Sequence, residues 1–103
     1  MRYLPVFLDT DAKKIIVVGG KAFAITKLRT LLKTKANIHV FSTSPDSQIL
    51  EWAETQQIIL HRRVIEKQDL VGALVCYAAS DQAEENESVS RMVKETNILL
   101  NWT

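Results

Sequence analysis

The sequence predicts an α/β fold: a five-stranded parallel sheet with strands in the order 3-2-1-4-5 and helices on both faces. Short apolar segments alternate with amphipathic helical segments along the 103-residue chain, a pattern typical of parallel strands joined by right-handed crossovers. The strand segments 15–18 and 73–79 are almost wholly apolar, as expected where helices cover both faces of a sheet. A chain of this length fits one domain, so we expect residues 1–103 to form a single unit.

Each element is assigned from its periodicity and from the residues that bound it. In chain order we predict an apolar arm at 3–8, strand 15–18, helix 22–33, strand 37–41, a helix from Asp46 to about 56, strand 58–61, a connection with one helical turn at 62–70, strand 73–79, a helix capped by Ser80-Asp81 that extends to about 96, and strand 98–100.

The first strand runs directly into a glycine pair and a helix. The dinucleotide-binding fingerprint G-x-G-x-x-G/A of Rossmann-like βαβ units would have its fixed positions at Gly19, Lys21 and Ala24. The first and third match, and Lys21 stands where a glycine normally lets the pyrophosphate approach the backbone. We expect Gly19 to permit the tight turn and Gly20 a close backbone approach. The lysine either swings outward and pairs with the phosphates or blocks the site.

The predicted strand order has its switch point between strands 1 and 4. The glycine turn then lies beside the segment Ala78-Ala79-Ser80-Asp81, and a ligand is expected at this edge of the sheet. Strand 2 ends in Phe41-Ser42-Thr43-Ser44 where such units often carry an acidic residue. Hydroxyls could bind a ribose without deciding between NAD and NADP, and the same residues equally suit a loop that leads to a helix cap.

Other polar side chains have structural interpretations. Asn86 shares the inward face of its predicted helix with Ala83, Val89 and Val93, and as a buried amide it should bond the 78–81 segment. Asp81 is expected to be a helix cap rather than a catalytic acid. His39 and His61 are each expected to be structural or solvent-facing, and Cys76 a small buried hydrophobe. No metal site is predicted.

Composition excludes several classes of protein. Hydrophobic residues make up 47% and charged residues 24% of the chain, which argues against disorder. We find no apolar run that would span a membrane and no signal peptide. One cysteine allows no internal disulfide, and we expect a cytoplasmic protein. Net charge is +1, with the basic residues concentrated in the first 40, where an anionic ligand would be attracted. Nothing resembles a nucleic-acid surface.

Several segments together resemble the precorrin-2 dehydrogenase domain of siroheme synthase. They are Tyr3-Leu4-Pro5-Val6-Phe7, the glycine turn with Ala24 and Lys27, Ala78-Ala79-Ser80-Asp81 with Asn86 and Val89, and Ile98-Leu99-Leu100-Asn101. The resemblance covers nearly the whole chain. It implies NAD-dependent oxidation of precorrin-2, a tetrapyrrole, to sirohydrochlorin, with ferrous iron insertion in some members. It also implies a homodimer, formed through a segment that follows the nucleotide-binding domain.

The resemblance implies a set of cofactor-binding residues: Gly19, Gly20, Lys21, Ala22, Phe23, Thr43, Ser44, Ala79, Ser80 and Asp81. Three features depart from the family. Lys21 replaces a glycine, Thr26 replaces an arginine, and the family's catalytic aspartate is expected just beyond the last residue, Thr103. No residue is therefore assigned a catalytic role. The chain is either a fragment of a longer dehydrogenase or a short relative that has lost the chemistry. A third alternative is a nucleotide-sensing or scaffolding module without a substrate.

Overall fold

The computed structural model describes residues 13–96 and 98–102. Its elements, in chain order, are β1 (Lys14–Val18), α1 (Ala22–Leu31), β2 (Asn37–Phe41), α2 (Ser47–Glu54), β3 (Ile59–His61), a short 3-10 helix (Lys67–Leu70), β4 (Ala73–Ala78), α3 (Ala83–Lys94) and β5 (Leu99–Trp102). The predicted apolar arm at 3–8 lies outside the described residues, as do the side chains of Asn101 and Trp102.

The five strands form one sheet in the order β3-β2-β1-β4-β5. All four neighbouring pairs are parallel, so the predicted architecture is confirmed. Val18, the last residue of β1, aligns with Phe41 on one side and with Ala78 on the other. The carboxyl ends of β1, β2 and β4 therefore meet at one edge of the sheet.

The sheet separates two hydrophobic cores, and β1 contributes alternate side chains to each. Ile15 and Val17 pack with α1 and α2, whereas Ile16 and Val18 pack with α3 and the segment before β4. Because successive strand residues point to opposite faces, both sets must be apolar. All four side chains are at most 2% exposed, which explains the uninterrupted apolar run.

The predicted start of the third helix was wrong. The helix begins at Ala83, and its N-cap is Gln82 rather than Ser80 or Asp81. The Ser80 hydroxyl accepts a bond from the Gln82 N–H at 3.0 Å, a turn that ends before the helix starts. Ala83 is consequently exposed instead of facing inward, while Asn86, Val89 and Val93 are buried as predicted.

The remaining differences are at element ends. α1 stops at Leu31 and α2 at Glu54, each about two residues before the predicted boundary, which is the usual uncertainty of such assignments. The single helical turn expected within 62–70 is the 3-10 helix. No helix in the two described ranges is long and apolar enough to cross a bilayer.

Candidate functional site

A small cleft lies at the edge where β1, β2 and β4 end. Its volume is about 140 Å³, and it is lined by Gly20, Lys21, Ser42, Thr43, Ser44, Ser80, Asp81, Gln82 and Glu85. The structure thus brings together six of the residues that the sequence predicted for a cofactor site. Predicted residues Gly19, Ala22, Phe23 and Ala79 belong to the same three chain segments. The cleft sits at the topological switch point, where parallel α/β sheets bind ligands.

Gly19 is required by its contact with β4. Its φ is +142°, and a Cβ built on it would lie 2.4 Å from the carbonyl oxygen of Ala79. The N–H of Gly19 donates to Phe41 O at 3.0 Å, and the N–H of Ala79 donates to Val18 O at 2.9 Å. These bonds extend the ladders of β1 by one residue on each side, so no side chain fits between the turn and Ala79.

Gly20 makes room for a side chain on the β2 side of the cleft. A Cβ on Gly20 would lie 2.1 Å from the Ser42 Oγ and 3.0 Å from the Pro45 Cα. The predicted close approach therefore exists, but within the protein it is made by Ser42. The carbonyl of Gly20 also accepts the N–H of Asp46 at 2.8 Å, which joins the glycine turn to the start of α2.

The N-terminus of α1 opens toward the cleft. Its N-cap, Lys21, makes no side-chain capping bond, and no acidic residue occupies the first turn. The first helical bond runs from the Ile25 N–H to Lys21 O, so the N–H groups of Ala22 and Phe23 have no intrahelical acceptor. Open N–H groups at a helix N-terminus, with a lysine beside them, suit a phosphate.

On the β4 side, Asn86 fixes the loop of residues 79–82, which we call the rim loop. Asn86 is 4% exposed. Its Oδ1 accepts the Ser80 N–H at 3.0 Å, and its Nδ2 donates to Ser80 O at 2.9 Å. The bond predicted between Asn86 and this segment is confirmed, and both hydrogen-bonding groups of a buried backbone are satisfied by one side chain.

On the β2 side, residues 42–44, which we call the hydroxyl loop, lead into α2. The Asp46 side chain caps that helix by accepting the Gln48 N–H, so the interpretation as a loop before a helix cap is confirmed. Ser42 Oγ accepts the Ser44 N–H at 3.2 Å, while Thr43 and Ser44 are exposed. Both residues line the cleft, and their predicted contact with a ribose stays a prediction.

The charges around the cleft are unevenly placed. Lys21 is on the α1 side, whereas Asp81 and Glu85 are on the β4 side. A phosphate would be repelled by the two carboxylates and attracted by the lysine and the helix N-terminus. The volume is below the several hundred Å³ typical of pockets that enclose a small molecule. The cleft therefore suits the phosphate part of a dinucleotide, with the remainder along the open edge.

Two larger grooves lie elsewhere. One of about 710 Å³ runs between α2 and the edge strand β3, and one of about 590 Å³ lies at the amino ends of β4 and β5. The second includes Leu70, Val71 and Ile98. Neither is at the carboxyl ends of the central strands, where this architecture positions its loops for chemistry, so the smaller cleft is the better candidate site.

The sequence missed a pairing of the two histidines. His39 Nδ1 and His61 Nε2 are 3.0 Å apart, whereas each histidine was expected, separately, to be structural or solvent-facing. The pairing follows from register, since Phe41 aligns with His61 and His39 with Ile59. The signal in the sequence was that strands 2 and 3, which carry the two histidines, were predicted to be adjacent in the sheet. Cys76 is buried as predicted, and burial raises the pKa of its thiol to about 12, so it is unreactive.

Comparison with known proteins gives a consistent set of relatives. Residues 6–103 match the family model described as "Putative NAD(P)-binding". The chain is 34% identical over 101 residues to a siroheme synthase of Pseudoalteromonas atlantica, covering 98% of this chain and 22% of that protein. It is 31% identical over 88 residues to a precorrin-2 dehydrogenase of Bacillus subtilis, covering 85% of this chain and 54% of that one.

The solved structure of the precorrin-2 dehydrogenase SirC superimposes with a TM-score of 0.86 at 25% identity, over 97% of this chain and 50% of that chain. The chain thus spans about half the length of these two dehydrogenases and about a fifth of the siroheme synthase. The family match, the glycine turn and the open N-terminus of α1 agree on a nicotinamide dinucleotide as the cofactor. By its fold and by the match over almost its full length, this chain belongs to the NAD(P)-binding family.

Proposed function

We propose that the chain is the NAD-binding domain of a precorrin-2 dehydrogenase, which oxidises precorrin-2 to sirohydrochlorin in siroheme biosynthesis. The observation that carries the proposal is the cleft at the switch point, built from the three segments that the fingerprint and the family resemblance single out. Relatives named siroheme synthase and precorrin-2 dehydrogenase support the choice of reaction.

The proposed binding mode follows the charges and open backbone groups of the cleft. The N–H groups of Ala22 and Phe23, with the Lys21 ammonium, hold the pyrophosphate beside the Gly19-Gly20 turn. The hydroxyls of Thr43 and Ser44 bind the adenosine ribose. The rim loop, with Ala79, Ser80 and Asp81, supports the nicotinamide half. When bound, the nicotinamide ring supplies the hydride acceptor of the oxidation. No residue of this chain is assigned the catalytic role.

The substrate class, the oligomeric state and the location of the enzyme are also part of the proposal. The substrate is a tetrapyrrole, as the names of the relatives support. We infer a homodimer assembled through segments that the longer relatives carry beyond the part matched here, and a cytoplasmic location, which suits the buried free thiol of Cys76. Residues 1–103 are one nucleotide-binding domain in this proposal. The proposal includes neither a membrane nor a nucleic acid as a partner.

A calorimetric titration with NAD tests the proposal. We expect the native chain to bind NAD with micromolar to low-millimolar affinity. Lys21→Gly should weaken binding if the ammonium contacts the phosphates, because one charge-assisted contact is lost. Lys33→Gly removes the same charge from an exposed position outside the cleft, so this control should bind like the native chain. Precorrin-2 oxidation is then measured on the full reading frame.

The opposite pattern would favour the alternative. If the native chain fails to bind NAD and Lys21→Gly restores binding, the lysine closes the site. The chain would then be a fold retained without dehydrogenase chemistry, as a truncated or degenerate regulatory module. Binding of NAD without turnover of precorrin-2 by the full reading frame would favour a nucleotide-sensing module.

A further inference from the structure

The two histidines of the chain form a hydrogen-bonded imidazole pair. His39 Nδ1 and His61 Nε2 are 3.0 Å apart, the ring centroids are 5.2 Å apart, and the ring planes differ by 10°. Two near-coplanar rings with facing nitrogens and this centroid separation lie edge to edge. One ring therefore donates its N–H to the lone pair of the other, which requires that the accepting ring be neutral.

The pair is held by aromatic contacts on the side of the sheet that carries α3. His61 stacks on Phe41 with centroids 4.3 Å apart and planes 8° apart. The Arg63 guanidinium lies 5.2 Å from the centre of the same Phe41 ring. The stack on Phe41 favours the observed orientation of the His61 ring. Within the described residues no cluster of three or more metal-ligating side chains occurs.

Three charged groups face the pair from the elements packed around it. Lys14 comes from β1, Arg63 from the segment after β3, and Asp69 from the 3-10 helix. Arg63 binds both carboxylate oxygens of Asp69 at 2.7 Å, which neutralises most of that negative charge. Lys14 Nζ donates to the backbone carbonyls of Asp69 and Val71. The net field at the pair is therefore positive and opposes protonation.

Both imidazole pKa values are lowered from 6.5. For His39 the main cause is burial, followed by Lys14 and then His61. For His61 it is burial, followed by Arg63. At pH 7, above both lowered pKa values, the neutral form of each ring predominates. One proton on the pair leaves a donor and an acceptor, but protonation of both rings would place two cations with facing N–H groups at 3.0 Å, and the bond would then be lost.

Loss of this bond would act on β3 and on the cleft. β3 has only three residues, and in the described part of the chain it pairs with β2 alone. The carbonyl of His61 accepts the N–H of Ser42 at 3.1 Å, and Ser42 begins the hydroxyl loop. A displacement of β3 therefore reaches the cleft through one backbone hydrogen bond.

We infer that His39 and His61 form a proton-sensitive clasp, which holds β3 against β2 at neutral pH and releases the hydroxyl loop on acidification. The clasp rests on the geometry of the pair, and only its effect on NAD affinity rests on the proposed function. Because the folded-state pKa values lie below the unfolded value of 6.5, the clasp stabilises the fold fully above pH 6.5. Its contribution is lost as the pH falls from there through the folded-state values.

Nuclear magnetic resonance of the native chain tests the pair directly, because the chain has only two histidines. In an N–H···N bond between Nδ1 of one ring and Nε2 of the other, either both rings carry Nδ1–H or both carry Nε2–H. We therefore expect long-range ¹H–¹⁵N spectra at pH 7.5 to show the same tautomer for both, and both pKa values below 6.5. Different tautomers, or a pKa at or above 6.5 for either ring, would overturn the proposal.

Amide exchange tests the release. From pH 7.5 to 5.5 we expect the protection factor of the Ser42 amide to fall by roughly threefold to tenfold. The Gly19 amide, which donates to Phe41 on the β1 side, is the internal control and should keep its protection. The double variant His39→Gln/His61→Gln retains hydrogen-bonding side chains without titrating, and should flatten the response. An equal fall at Ser42 and Gly19, or an unchanged response in the double variant, would overturn the clasp.

Titration with NAD at both pH values separates the two proposals. We expect the Kd of the native chain for NAD to rise by roughly threefold to tenfold at pH 5.5, and that of the double variant to change less. A native Kd that is the same at both pH values would overturn the coupling to the cleft. Absence of NAD binding at either pH would contradict the proposed function, while the exchange and tautomer results would still decide on the clasp.

Discussion

The two sides of the candidate cleft are held by different chemistry. On the β4 side, the buried amide of Asn86 bonds both backbone groups of Ser80, and nothing in that contact titrates. On the β2 side, the hydroxyl loop is bonded to β3 through Ser42, and the imidazole pair adds to the strand ladder that joins β3 to β2. The Asn86 contact is therefore independent of pH, whereas the inferred histidine clasp makes the hold on the hydroxyl loop depend on protonation.

The glycine turn shows the same contrast at atomic scale. The missing Cβ of Gly19 faces the carbonyl of Ala79 on the β4 side, whereas that of Gly20 faces the side chain of Ser42 on the β2 side. Backbone held by strand hydrogen bonds cannot move away, but a serine hydroxyl can rotate. The two glycines should thus differ in how strongly they resist substitution, which gives a way to test the contrast.

Gly19→Ala should have the largest effect. The new Cβ would lie 2.4 Å from Ala79 O at a backbone φ of +142°, and we expect a loss of about 3 kcal/mol or more in the free energy of unfolding. Gly72→Ala is the matched control, because Gly72 has a φ of +82° and open space around it. Urea denaturation of both variants separates the steric clash with Ala79 from the cost of a positive φ, because only Gly19→Ala has the clash. Equal losses would mean that the contact with Ala79 is unimportant.

Asn86→Ala should be next. It leaves the N–H and C=O of Ser80 without partners at a site where Ser80 is 4% exposed, so we expect a loss of about 2–4 kcal/mol in unfolding free energy. NAD affinity should fall as the rim loop loses its anchor. Ser88→Ala, at an exposed position of the same helix, should be close to neutral. A stable Asn86→Ala with unchanged affinity would show that the rim loop is held by other contacts.

Gly20→Ala should cost less, about 1–2 kcal/mol, because the Ser42 side chain can move aside. The double variant Gly20→Ala/Ser42→Gly removes the obstructing hydroxyl and should recover part of that loss. The same Ser42→Gly change should not rescue Gly19→Ala, since Ala79 lies on the other wall. Thermal unfolding of the four variants measures this, and rescue of both glycine variants would contradict the separation of the walls.

The pH dependence of stability should be the smallest effect. Between pH 7 and 5 we expect the native chain to lose under about 1 kcal/mol, because partial solvent exposure screens both rings. The Arg63 hydrogen bonds hold the pKa of Asp69 at about 2, so that ion pair does not titrate in this range. Ser88→Ala should keep the native slope, whereas His39→Gln/His61→Gln should flatten it. Denaturation at a series of fixed pH values measures how the free energy of unfolding of each variant depends on pH. Equal dependence in the two variants would remove the contrast between the walls.

The fold could be predicted because each strand, turn and helix is indicated by residues that are close together in the sequence. An apolar strand followed by Gly19-Gly20 and an amphipathic helix has few structural interpretations. Asn86 could be assigned to the rim because a polar side chain on an apolar helix face needs a partner. The start of α3 could not be placed, because Ser80 and Asp81 both suit an N-cap whereas Gln82, which holds that position, is not a preferred N-cap residue. The choice depends on the Ser80 hydroxyl bonding the Gln82 N–H.

The sequence by itself determined the parallel sheet, its order, the faces of the helices and the edge at which a nucleotide would bind. These depend on periodicity and on handedness rules that apply to any such chain. Only the tertiary structure decided that Ser42 fills the space beside Gly20 and that His39 meets His61. Both contacts depend on how neighbouring strands are aligned to within one residue, and that alignment is set by packing of the whole sheet, not by any one segment.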